Sequence, residues 1–143
     1  MSTQLMFQDI EAGTEVPALV KHPTTRQLVK WAGASGDWYE IHYDKDVALA
    51  SNLPGVIVHG WLPFCAYGQM LRDWIGLEGD IKKMNCTYRG MLLPGNDHTY
   101  KGKVSKKYTE NGENLVDCEL YCEDQNGNVA NQAAVTVTLP SKA

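Results

Sequence analysis

Between Asp46 and Arg72 the chain runs for 25 residues without an aspartate, glutamate, lysine or arginine. A run of that length without formal charge belongs in a bilayer or in a domain core. A membrane-spanning helix needs about 20 consecutive, mainly apolar residues. Asn52, Pro54, Gly55, His59, Gly60, Pro63 and Gly68 interrupt this run and exclude that use. The stretch is therefore expected at the buried centre of a soluble domain. One domain over residues 1–143 is the natural unit, because a chain of this size buries roughly 70% of its unfolded surface without staples. Thirteen Lys and Arg against 17 Asp and Glu leave a net charge of −4, with no basic cluster. That balance argues against nucleic acid or an anionic membrane as the partner.

Local patterns divide the chain into elements. β-branched and apolar residues from Thr14 to Pro23 predict a strand. Thr24 or Thr25 can cap a short helix whose apolar face is Leu28, Val29 and Ala32, with Gly33 and Gly36 ending it. Asp44 stands where an N-cap belongs for a second short helix through Val47, Ala48 and Ala50. The longest helical pattern follows, with Leu62, Cys65, Ala66, Gln69 and Met70 on one face and further apolar residues around it. A helix apolar nearly all round is expected to be buried. Pro63 lacks an N–H and so requires that helix to begin close to Gly60.

Beyond Gly76 the pattern changes to strands, at Ile81–Arg89 and His98–Thr109, then through Val116, Cys118, Leu120 and Cys122, and last through Ala133, Val135, Val137 and Leu139. Asn111-Gly112 and Asn126-Gly127 are hairpin signals. The expectation is an α+β fold in which an antiparallel meander wraps the long helix. The four cysteines show neither a CxxC pair nor metal-finger spacing, and the N-terminal segment has no basic region followed by an apolar one. Free core thiols and a cytoplasmic location are expected.

Ionisable and aromatic residues concentrate in the loop Ser35-Gly36-Asp37-Trp38-Tyr39-Glu40-Ile41-His42-Tyr43-Asp44. A carboxylate and an imidazole five residues apart in a loop can converge on one water, and such a pair suits acid–base chemistry. Gly60, at the start of the long helix, offers an unpaired N–H and the positive end of a helix dipole, suited to a developing oxyanion. Asp37 could instead serve only as a turn residue, whereas an N-cap role fully explains Asp44. Asp37, His42, Asp44 and His59 could in principle ligate a metal, yet their spacing carries no metal signature. Trp38, Tyr39 and Trp61 are candidate pocket walls, with ordinary core packing as the alternative.

Ala34-Ser35-Gly36-Asp37, Ile41-His42-Tyr43-Asp44 and Ile57-Val58-His59-Gly60 together resemble the signature of MaoC-like (R)-specific enoyl-CoA hydratases and 3-hydroxyacyl-thioester dehydratases. The resemblance is close over about 30 residues and implies the hot-dog fold, an antiparallel sheet around a central helix. It also implies reversible hydration of a trans-2-enoyl thioester, carried by CoA or acyl-carrier protein. Asp37 and His42 would hold the catalytic water, and the Gly60 N–H would bind the thioester oxygen. No metal and no cofactor is implied. His59 would orient the loop before the helix without transferring a proton.

Two positions depart from that pattern. Tyr39-Glu40 stands where the family usually has Asn-Pro, and Gly68 replaces a serine found on the long helix of some relatives. Both bear on acyl preference more than on reaction class. Two other functions suit the fold, a thioesterase and a non-catalytic subunit of a hetero-oligomeric dehydratase. The long helix has no Asp or Glu before Asp73 to activate water at a carbonyl carbon, which weighs against the first. A sheet with an open edge and a bare apolar face also predicts at least a homodimer.

Overall fold

The computed structural model describes residues 4–142, so residues 1–3 of the N-terminal segment lie outside it. Strand β1 (Glu15–Lys21) leads into helix α1 (Thr25–Ser35), a 3-10 turn (Glu40–His42), helix α2 (Lys45–Ala50) and helix α3 (Trp61–Ile75). Strands β2 (Asp80–Tyr88), β3 (His98–Glu110), β4 (Glu113–Glu123) and β5 (Val129–Thr138) follow. The helix ends obey capping chemistry. Thr24 Oγ1 accepts from the Gln27 N–H at 3.2 Å, and Gly36 closes α1 in the left-handed conformation (φ 79°). Asp44 caps α2 by accepting from the N–H groups of Asp46 and Val47. Gly33 lies inside α1 and does not end it.

All five strands form one antiparallel sheet in the order β1-β3-β4-β5-β2. The expected meander therefore holds only for β3-β4-β5. Strand β2 crosses to pair with β5, where the two hydrophobic patterns match in register from Ile81↔Val137 to Cys86↔Ala133. Helix α3 touches β1 and β2, the two edge strands, which requires the sheet to curl around it. Tyr67, Leu71 and Ile75 are fully buried there against Val116, Cys118, Leu120, Cys122, Val135 and Val137. Each such aliphatic side chain contributes about 1.5–3 kcal/mol on burial.

The face of α3 turned to the sheet is Pro63, Ala66, Tyr67, Met70, Leu71 and Ile75. This corrects the expected face, because Cys65 and Gln69 are exposed and Leu62 is half-buried. Periodicity fails here because α3 is apolar on two sides, and only one of them meets the sheet. The bare side includes Trp61, 62% exposed. The uncharged run is thus only partly core. All four cysteines are free, with Cys118 and Cys122 buried and Cys65 at the surface.

The crossing from β2 to β3 has a consequence for the ligand-facing end of the molecule. Residues 89–97 must pass the ends of β5 and β4, about 4.8 Å apart. The segment is pinned on the way. Arg89 and Gly90 both donate to the Ala130 carbonyl at 2.8 Å, and the Val58 N–H donates to the Leu92 carbonyl at 2.9 Å. It thereby becomes a wall facing the start of α3.

Two glycines test this packing in opposite directions. A Cβ on Gly102 of β3 would collide with the Leu120 side chain and come within 2.6 Å of the Glu119 carbonyl oxygen. Gly102→Ala is expected to cost about 1–3 kcal/mol. Gly68, inside α3, has open space where a Cβ would stand. Gly68→Ala is expected to gain up to about 1 kcal/mol through helix propensity. Urea unfolding of both variants checks the signs.

Candidate active site

The left-handed Gly36 that ends α1 turns the chain so that Asp37 leads into the aromatic loop. Tyr43 Oη donates to the Trp38 carbonyl at 3.0 Å, and the His42 N–H donates to the Tyr39 carbonyl at 3.1 Å. These bonds fold the loop back on itself. The Ile57 N–H then donates to the Ile41 carbonyl at 3.1 Å, joining this loop to the segment before α3. Asp37, His42 and His59 come together as a result, each with a polar atom within 4.8 Å of the others.

His42 is buried, and its Nδ1 donates to the Ile57 carbonyl at 2.7 Å. In the neutral ring that bond places the proton on Nδ1, and Nε2 has no hydrogen-bond partner among the described residues. The Asp37 carboxylate is only half-buried, and its Oδ1 accepts from the Tyr39 N–H at 3.4 Å. His59 is fully buried beneath them. Its Nε2 donates to the Asp37 carbonyl at 3.2 Å, and its ring stacks on His42 with centroids 3.9 Å apart and planes 23° apart. Nδ1 of His59 meets no partner. Desolvation, then the neighbouring His42, hold the His59 pKa below its ordinary value.

Gly60 sits one residue before α3 in helical conformation (φ −59°, ψ −34°). Its N–H has no acceptor among the described residues. The carbonyl of Gly60 accepts from the Tyr88 hydroxyl at 2.6 Å, which fastens the helix start to the end of β2. His42 and Gly60 open on a common cleft of about 170 Å³, walled by Ile57, Val58, Tyr88, Met91 and Leu92. An imidazole and a helix-start glycine therefore line one small, largely apolar space.

Of the sequence-derived residues, His42 and Gly60 line the cleft together, whereas Asp37 stands beside His42 and His59 but outside that lining. Trp38, Tyr39 and Trp61 are not part of the cleft lining, and each is more than half exposed. Tyr39 still reaches the His42 ring edge-on at 6.2 Å. Asp44 caps α2, as its position suggested. Sequence reasoning missed Tyr88, Asn131 and the 89–97 wall. Of these, only Asn131 left a signal, as a polar residue continuing the inward alternation of Ala133, Val135 and Val137.

A metal does not suit this cluster. Two histidines and a carboxylate are adequate donors in type, and their ligand atoms would have to converge at about 2.0–2.2 Å from an ion. Stacked rings 3.9 Å apart direct their in-plane lone pairs along nearly parallel planes instead. The Asp37 carbonyl also occupies His59 Nε2.

Residues 8–128 match the family model described as a MaoC like domain. The chain belongs to the MaoC-like dehydratase family. The fatty acid synthase subunit beta of Saccharomyces cerevisiae is 27% identical over 104 residues, which is 71% of this chain and 5% of that protein. The MaoC-like chain therefore spans only a small part of that relative. Two solved structures share the hot-dog fold. The (R)-hydratase from A. caviae involved in PHA biosynthesis is 20% identical, covering 93% of this chain and 99% of the other, with a TM-score of 0.84. R-hydratase PhaJ1 from Pseudomonas aeruginosa is 18% identical, covering 97% and 88%, with a TM-score of 0.87. No helix among the described residues is long and apolar enough to cross a membrane.

Burial of neutral histidines sets a pH dependence of stability. His59 and His98 are both fully buried with pKa values held below 6.5, chiefly by desolvation. Between its folded and unfolded pKa each residue binds more protons in the unfolded chain, so stability rises with pH in that window. Stability is therefore expected to fall as pH drops below about 6.5, well above the window in which carboxylates titrate. Urea midpoints measured at pH 7.5, 6.5 and 5.5 check this, and a flat profile would contradict it.

Proposed function

We propose that this chain catalyses the reversible hydration of a trans-2-enoyl thioester, of CoA or acyl-carrier protein, to the (R)-3-hydroxyacyl thioester. The observation that carries the reading is the cleft itself, lined by His42, whose Nδ1 is committed to a carbonyl, and by Gly60, whose N–H has no acceptor among the described residues. The thioester carbonyl oxygen accepts from Gly60, which places C3 of the acyl chain toward His42. Asp37 and His42 hold a water between them. As the water oxygen bonds to C3, His42 takes its proton and the C2=C3 π pair moves onto the thioester as an enolate. The Gly60 N–H and the α3 dipole stabilise that oxygen. A proton delivered to C2 from the Asp37–His42 pair completes the addition. Membership of the MaoC-like family supports the reaction class, and the (R)-hydratases of the same fold support the product configuration.

The active unit in this reading is at least a homodimer of single hot-dog domains, working in the cytoplasm. The bare side of α3 supports a covered face: Trp61 stands exposed, with Trp38, Tyr39 and Leu49 of the neighbouring loop and α2 also exposed. The four free thiols suit a reducing compartment. Light scattering after size-exclusion is expected to give at least twice the chain mass of 15.9 kDa.

Loss of the enoyl-thioester ultraviolet absorbance with crotonyl-CoA tests the activity. Release of free thiol, read with DTNB in the same samples, would instead mark a thioesterase. His42→Gln and Asp37→Asn are each expected to lower kcat by about 10²–10⁴-fold. Gly60→Pro removes the donor N–H at a φ that proline adopts, and is expected to cost about 10²–10³-fold in kcat. Gly60→Ala keeps the N–H, and its Cβ would make ordinary contact with the Tyr88 ring at 3.6 Å. It should lose far less. Overnight treatment with EDTA should leave the rate unchanged.

A further inference from the structure

Asn131 is the polar interruption in the inward alternation of β5. It lies on β5 at an inward position and is 1% exposed, where its neighbours in the alternation are Ala133, Val135 and Val137. A buried amide is costly unless its donors and acceptors are used. Half of this one is used. The Tyr67 hydroxyl on α3 donates to Asn131 Oδ1 at 2.7 Å. Burial pushes the Tyr67 phenol far above its ordinary pKa, so the hydroxyl keeps the proton it donates. Tyr67 is itself held rigidly, fully buried with its ring edge-on to Tyr100 at 5.1 Å.

With Oδ1 turned back toward Tyr67, the amide Nδ2 makes no hydrogen bond among the described residues, and it is not sealed from the cleft as the unpaired Nδ1 atoms of His59 and His98 are. Asn131 also lines the same cleft as His42 and Gly60. Tyr67 is seven residues after Gly60, about 10 Å along the axis of α3, and a helical side chain of that kind leans back toward the N-terminus. With a thioester oxygen at Gly60 and C3 at His42, as in the reading above, Asn131 is the lining residue left to meet the acyl end. The cleft volume of about 170 Å³ is close to the roughly 150 Å³ that holds a six-carbon ring in a dry protein cavity. That is room for a short acyl group. No lysine, arginine, aspartate or glutamate is in the cleft lining.

We propose that Asn131 selects the acyl group, and that the preferred substrate is a short trans-2-enoyl thioester carrying an uncharged oxygen beyond C3. A hydroxyl or ketone oxygen there would accept from Nδ2 and complete the hydrogen bonding of the buried amide. A chain of carbon alone would leave that donor unpaired, and a site built for a hydrogen bond rejects the analogue that lacks it. A carboxylate would bring an unpaired charge into a cleft without a cation. The inference rests on the hydratase reading of the same site and adds the identity of the acyl end to it.

The test compares isosteric pairs on the wild-type protein. One pair is 4-hydroxy-trans-2-pentenoyl-CoA against 4-methyl-trans-2-pentenoyl-CoA, and the other is 5-oxo-trans-2-hexenoyl-CoA against 5-methyl-trans-2-hexenoyl-CoA. The oxygenated member of at least one pair is expected to have the higher kcat/KM by about 10–100-fold. Asn131→Val should abolish or invert that preference. Equal rates within both pairs, or faster hydration of the all-carbon members, would overturn the proposal and leave Asn131 as an anchor for Tyr67. Because the wild-type comparison needs no variant, a misfolded Asn131→Val does not decide the matter. If crotonyl-CoA is hydrated but none of the four is, the acyl inference fails and the reaction stands. If crotonyl-CoA is not hydrated either, the reading of the site itself fails.

Discussion

The packing of α3 into the curled sheet is the constraint on which everything else in this molecule depends. Tyr67, Leu71 and Ile75 fix both the depth and the rotation of the helix, because they are fully buried against β4 and β5. Those three points span residues 67–75, and the buried Pro63 and Ala66 carry the restraint into the first turn. Gly60 is therefore held where its N–H faces the cleft, and the Tyr88 hydroxyl on its carbonyl completes the restraint from the sheet side. Oxyanion stabilisation depends on donors that need not reorganise as charge develops. Here the hydrophobic core supplies that rigidity directly.

Of the two stacked histidines, His42 borders the cleft and His59 is sealed beneath it. His42 has one nitrogen committed to a carbonyl, and so does His59. A second positive charge on stacked rings 3.9 Å apart in a buried place would be strongly disfavoured. The pair thus holds one proton acceptor facing the cleft rather than two competing ones. His59 also ties the Asp37 backbone to the segment entering α3, so the aromatic loop and the helix start move as one body. Hydration and dehydration share a transition state, so this arrangement serves both directions equally.

Much of this was legible in the sequence, for reasons that can be named. Asp44, Thr24 and Gly36 act through local backbone chemistry, which spacing alone reveals. The alternation in β4 and β5 showed which residues face inward. The nearness of Asp37 to His42 was legible because a short loop brings residues close in sequence close in space, whereas Gly60 is joined to them by the Ile57–Ile41 backbone bond, which spacing does not reveal. Other features depend on long-range pairing and left little trace. Strand β2 reads like any strand, and nothing in it says that its partner is β5. The buried face of α3 was misassigned because two of its sides are apolar and the sheet covers one. Tyr88 and the 89–97 wall reach the site only through the crossover, so no motif around them could announce it.

That crossover also bears on how the chain reaches its fold. Strand β2 finds its one partner only in β5, so residues 80–88 await residues 131–138, and β1 waits similarly for β3. Non-local pairings of this kind slow folding and leave strand edges open while they form. During synthesis α3 and β2 leave the ribosome with their hydrophobic partners not yet made. The last strand to emerge closes the sheet at β2 and brings Asn131 beneath the cleft. The domain thus has no finished core until residues 129–138 are free of the ribosome, and its dependence on chaperones should be concentrated in that interval.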